Sequence, residues 1–240
     1  MTAVGKGRRG PVSRLLLSSA ARLLLGGLLA VLLCLLAEAQ GAKDITTVVA
    51  EVNRYQERAR RLVQNLRVVQ LVVQQSGDEE RKEQATVIYH PPDDPKRDVQ
   101  WSNIGHPTNG FPLKNLIGFP LQGADYKVSL VGTETIRGHA TYKLQLKPLA
   151  GDEKRIDGFL WVSTSDYGPV RVEGDLTNTP FPIKSLKMVW DYEPGLSGLW
   201  VLKRDSTAAV AKIVFKTIKG QSVASYDHYE MNVSLADKGP

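Results

Sequence analysis

Between residues 125 and 172, apolar and polar side chains alternate in short runs. Tyr126, Val128 and Leu130 alternate with Lys127 and Ser129. Ala140, Tyr142, Leu144 and Leu146 alternate with Thr141, Lys143, Gln145 and Lys147. Phe159 and Trp161 mark a third run, and Val170 and Val172 a fourth. A period of two gives each strand one apolar and one wetted face. Turns are expected at residues 132–138, at Gly151-Asp152 and at Asp166-Tyr167-Gly168. Strands this close in sequence pair as an antiparallel meander.

The period changes upstream. After Asp44, a plausible N-cap, the residues Ile45, Val48, Val49, Val52, Tyr55, Ala59 and Leu62 recur in steps of three and four. They predict an amphipathic helix. Its opposite face carries Glu51, Arg54, Glu57, Arg58 and Arg61, and this mixture of signs favours packing on a sheet over lying on a membrane. Residues 66–75 read as a long strand, 77–83 as a turn and 84–90 as the return strand. A short strand is expected at 99–102. Residues 104–123 are rich in Gly, Pro and Asn, with an apolar piece at 113–119 that reads as a loop or a short helix. Such a loop can cover a cavity, although most loops simply connect elements. Leu186, Met188, Trp190 and Tyr192 restart the alternation, and further strands are expected at 199–204, 212–218 and 225–233. The total is about nine to eleven strands and one helix in one domain, mainly β with an α contribution.

Charge and targeting refine this reading. The net charge of +6 is concentrated at the start, where residues 1–39 hold five of the 31 basic side chains and one of the 25 acidic ones. The remainder carries 26 against 24, or +2, too little to recruit nucleic acid. Those 39 residues have a basic beginning, an uncharged leucine-rich run and Ala37-Glu38-Ala39, which fits a cleavage site. They read as a secretory signal peptide, with a retained membrane anchor as the alternative. Cys34, the single cysteine, lies in the apolar run after Leu33, which argues against lipidation there. A chain starting at Gln40 would have neither disulfides nor thiolate chemistry.

Candidate chemistry is sparse. His90, His106, His139 and His228 do not stand at metal-ligand spacing, and no nucleophile elbow, phosphate loop or dinucleotide fingerprint is present. No cofactor is expected. Asp152, Glu153, Asp157, Asp166, Glu173 and Asp175 fall at turns or on wetted faces. A hydrolase using Asp157, His139 or Glu173 is the weakest of three readings. Asn232-Val233-Ser234 matches a glycosylation sequon.

The whole pattern resembles the LolA-like periplasmic lipoprotein carriers and lipoprotein-sorting proteins. The local match is residues 131–144, with Gly132, Gly138, Tyr142 and Leu144 in a glycine turn and the strand after it. Phe159-Leu160-Trp161-Val162 with Asp166-Tyr167-Gly168-Pro169 resembles the family's next strand and turn, and Trp200-Val201-Leu202 and Tyr226-Asp227-His228-Tyr229 its closing strands. The resemblance implies an unclosed half-barrel whose helix covers the concave face and whose apolar cavity holds lipid or lipoprotein acyl chains in the periplasm. Tyr142, Leu144, Phe159, Trp161, Met188 and Trp190 are the candidates for its lining, because large aromatics concentrate on the strands that would form the concave face. Carriers of this kind often have an Arg-Pro pair after the second strand, where this chain reads His90-Pro91. The same fold also serves as an envelope sensor or structural module, with envelope or outer-membrane proteins as partners.

Overall fold

The structure, a computed structural model, describes residues 44–89, 100–102, 116–119, 121, 125–149, 155–179, 181–213 and 216–233. Residues 1–39, read above as a signal peptide, with Cys34 among them, His90-Pro91, His106 and the acidic pair at 152–153 lie outside them. So does Ser234, the last residue of the sequon.

Helix α1, Ile45–Leu62, follows the expected stripe. Val48, Val52, Tyr55 and Ala59 are buried. Leu62 is not; it is 41% exposed, and Val63 takes the buried place as the chain leaves the helix. Asp44 holds the N-cap position, but its side chain makes no capping bond.

Ten strands follow: β1 Leu66–Ser76, β2 Glu79–Tyr89, β3 Gln100–Ser102, β4 Tyr126–Ile136, β5 His139–Pro148, β6 Ile156–Ser163, β7 Pro169–Leu176, β8 Ile183–Pro194, β9 Trp200–Ile213 and β10 Lys216–Met231. They form one open antiparallel sheet in the order β3-β2-β1-β10-β9-β8-β7-β6-β5-β4. The expected half-barrel architecture is therefore present. Three boundaries differ from the sequence reading. The charged run after Gly77-Asp78 is the start of β2, because a two-residue turn suffices there. Strand β4 runs through Gly132 and turns only at Arg137-Gly138. The strands expected at 199–204, 212–218 and 225–233 are two long strands, with residues 212–218 straddling the turn between β9 and β10.

The sheet is bent. Arg137, in the β4–β5 turn, donates to the carbonyls of Val170 (2.8 Å) and Tyr192 (2.7 Å). His139 at the start of β5 packs edge-on against Trp200 at the start of β9, with ring centroids 4.9 Å apart. Strands four places apart in a flat sheet would be separated by about 19 Å, so these contacts require strong curvature. Bulges interrupt the pairing at Leu130/Gly132, Trp161/Val162 and Asp191/Tyr192, and such irregularities bend and twist strands.

Two asparagines tie the helix exit to the last strand. Asn65 donates to the Val233 carbonyl (3.1 Å) and accepts from the Val233 N–H (2.8 Å). Asn232 accepts from Gln64 N–H (2.7 Å) and donates to the Leu62 carbonyl (3.0 Å). The sequon asparagine thus uses its amide to close the helix. Replacing buried Asn65 with alanine orphans both Val233 groups and is expected to cost about 2 kcal/mol in urea unfolding. A loss under about 0.5 kcal/mol, the range of an ordinary surface change, would count against this clamp.

Candidate ligand-binding face

Register sorts the side chains, because directly paired residues share a face. One face carries Leu130, Leu144, Leu160, Val172 and Trp190 in a row across β4 to β8. A second row carries Val128, Leu146, Gly158, Gly174 and Met188. Farther round, Asp205, Ala224, Val72 and Gln70, Ala85 lie on the same side. This inner face is the one packed into the core with α1.

The segment 116–119 joins the helix in covering it. Leu116, Ile117 and Phe119 are each at most 5% exposed. Phe119 meets the rings of Trp190 (centroids 5.9 Å) and Tyr126 (6.2 Å). Gly118 lies so close to the Gln56 amide that an added Cβ would fall 2.2 Å from Oε1. The Leu116 carbonyl accepts from Leu202 N–H (2.8 Å), and Tyr192 donates to the Gly118 carbonyl (3.4 Å). Helix α1 contributes Tyr55, whose hydroxyl accepts from Trp200 N–H at 2.6 Å. The described part of the apolar piece, residues 116–119, is therefore a turn and bend packed against the helix rather than a helix of its own.

Four of the six lining candidates stand together on the inner face: Tyr142, Leu144, Met188 and Trp190. Leu144 and Trp190 are buried, whereas Tyr142 and Met188 keep part of their surface open. Phe159 and Trp161 point the other way, because Gln145 pairs with Phe159 and Lys143 with Trp161 on the outer face. There the Lys143 ammonium sits over both rings, 4.8 and 5.0 Å from their centroids. Trp161 donates its ring N–H to Glu134, whose carboxyl is held below the usual range by that bond and by Lys143. On this face the long charged neighbours cover Trp161, which is buried, while Phe159 stays partly exposed.

Asp205 was not singled out in the sequence. It is buried on the inner face between Trp190 of β8 and Ala224 of β10. Thr207 donates to it at 3.4 Å, and the nearby Trp190 ring N–H also favours its charged form. Burial outweighs both and pushes its carboxyl up to about 7. Desolvation likewise raises Tyr55 and Tyr192 far above the ordinary phenol. The residues considered for hydrolysis are scattered: Asp157 pairs with Lys147 (2.7 Å), Glu173 with Arg171 and Lys187 (2.9 and 2.8 Å), and His139 with the Trp200 ring.

No family model and no curated protein matches the chain. Among solved structures, it is similar to a LolA superfamily protein from Nitrosomonas europaea at 14% identity and a TM-score of 0.41, covering 77% of this chain and 95% of that one. It is also similar to a DUF1329 family protein from Desulfovibrio piger (14%, 0.45; 80% and 95% covered). A third likeness is to an outer membrane lipoprotein-sorting protein domain from Vibrio parahaemolyticus (11%, 0.46; 79% and 95%).

Proposed function

We propose that the chain is a secreted, non-catalytic binding module that holds lipid or lipoprotein acyl chains against the inner face of its sheet, in the periplasm. One observation carries this reading. The fully buried Leu144, Leu146 and Leu160 continue on the same face into Tyr126, Val128, Leu130, Tyr142 and Met188, which pack on the core yet stay partly exposed. An apolar margin that is neither sealed nor polar suits a hydrocarbon chain, each buried methylene of which stabilises by roughly 0.8 kcal/mol. Met188, unbranched and soft, adapts to chains of different shape.

A second reading also has specific support. Phe119, Leu116 and α1 already fill the centre of the face, as they would in a sensor or structural module that binds an envelope protein. Native mass spectrometry of protein purified from the producing cell separates the two, together with displacement of a fluorescent fatty acid. The acyl-chain reading expects a lipid-sized adduct, and it expects Met188→Glu to weaken probe binding about tenfold, since placing a charge against an apolar chain is strongly unfavourable. Protein free of lipid and unable to bind the probe would leave the interaction module.

A further inference from the structure

The end of the sheet away from the helix exit presents a different surface. Phe181, in the turn between β7 and β8, is 86% exposed, and Ile213 at the end of β9 is 46% exposed. The β7–β8 turn is joined to the end of β9: Lys212 N–H donates to the Pro182 carbonyl at 3.0 Å, Ile183 pairs with Ala211, and Thr179 closes its own turn on the Ile183 carbonyl at 3.1 Å. This rim also projects. Pairing of β1 with β10 ends at Ser76 opposite Gly220, whereas β10 begins at Lys216, so the β9–β10 hairpin outruns β1 by about 13 Å at roughly 3.3 Å per residue.

Among the described residues of these two strand ends, 176–190 and 206–226, the charge is of one sign. Lys184, Lys212, Lys216 and Lys219 are all exposed, and among the described residues none of them forms an ion pair. The chain has no acidic residue between 176 and 190 or between 206 and 226. The acidic turn at Asp78, Glu79 and Glu80 belongs to the shorter β1–β2 hairpin, where Glu80 already pairs with Lys82 (2.9 Å).

We propose that this rim is a docking surface for an anionic lipid bilayer, with Phe181 and Ile213 entering the interface and the four lysines meeting headgroup phosphates. An exposed phenylalanine costs solubility in water and gains by burial at a headgroup boundary. Lysines beside it add attraction that salt weakens and that fades beyond the Debye length. A protein partner is the less favoured occupant, because the described residues of the rim offer one projecting aromatic and a ring of unpaired cations, with neither a groove nor mixed charge. The proposal stands whether or not the inner face holds acyl chains.

Vesicle flotation tests it, with the full chain purified as the cell makes it, so that anything contributed by residues 1–39 is common to every variant. Vesicles of phosphatidylcholine with phosphatidylglycerol are compared with phosphatidylcholine alone. Binding should be about tenfold stronger on the anionic vesicles and weaken with salt. Phe181→Asp, and separately Lys184→Glu with Lys212→Glu, should each lower it by about tenfold, with unchanged circular dichroism, since all three positions are exposed. Phe181→Trp supplies a local readout: the emission added by that substitution should shift to the blue and be quenched by brominated acyl chains. An added emission that vesicles leave unchanged, or equal binding to neutral and anionic vesicles, would overturn the proposal.

Discussion

Gly158→Val is expected to unfold the chain at growth temperature. Gly158 and Gly174 face each other across β6 and β7 on the inner face. A Cβ at Gly158 would lie 2.1 Å from the Glu173 carbonyl oxygen and 2.5 Å from the Gly174 Cα. A Cβ at Gly174 would lie 2.4 Å from the Asp157 carbonyl oxygen. Both obstacles are backbone, so no side chain can turn aside, and the two strands would have to separate there. The loss expected in urea unfolding is about 4 kcal/mol or more, in the range reserved for severe overpacking and broken pairing. Gly220→Ala provides the contrast. Its Cβ would meet only the Gln75 carbonyl, at an ordinary 3.7 Å. That variant should match the parent or exceed it by up to about 1 kcal/mol, because alanine restrains the unfolded chain. Equal behaviour of the two variants would rule out close strand approach at Gly158.

Asp205 is expected to make the protein less stable as the pH rises. Its carboxyl titrates near 7 in the folded chain against an ordinary value of 3.8, chiefly because burial disfavours the charge. Between those values the folded state holds a proton that the unfolded state has lost, so stability falls with increasing pH and levels off above about 7. The shift of roughly three units corresponds to at most on the order of 4 kcal/mol. Glu134 and Glu173 are shifted the opposite way, below 4.5, and their contributions are lost only in more acidic solution. The difference in thermal unfolding between the parent and Asp205→Asn from pH 5 to pH 8 therefore isolates Asp205, because the histidines, which also titrate in that range, are common to both. Asp205→Asn should resemble the parent at pH 5 and melt well above it at pH 8. A parent whose melting temperature rises over that window alongside the variant's would contradict the assignment.

Much of the architecture could be read from the alternation of side chains. Leu144 with Leu146, and Trp190 with Tyr192, declare their face because no extra residue falls within their own strands there, even where the partner strand carries one. The readings that changed do so at bulges and long strands. Between Asp191 and Tyr192 of β8 the partner shifts from Arg204 to Leu202, leaving Lys203 over. That one extra residue turns Asp205 inward beside Trp190, and no local property of Lys203 announces it. Phe159 and Trp161 misled by size: large aromatics suggested the inner face, but Leu160 and Val162 hold it. The cover over Phe159 and Trp161, from Lys143 and Glu134, comes from neighbouring strands, which alternation within β6 does not report. Residues 116–119 were obscure because their burial depends on Gln56 and Trp190, both far away in sequence.

The strand order also sets the sequence of events in assembly. From β4 to β10 each strand pairs with the one before it, so those contacts form between near neighbours and can close quickly. The pairing of β1 with β10 joins Leu66 to Met231, across most of the chain. The β1–β3 group therefore waits, with a long edge of β1 unpaired, until the last strand has been synthesised. A chain that ends early would hold two partial sheets with open edges, the condition that favours association with other nascent chains over completion of its own fold.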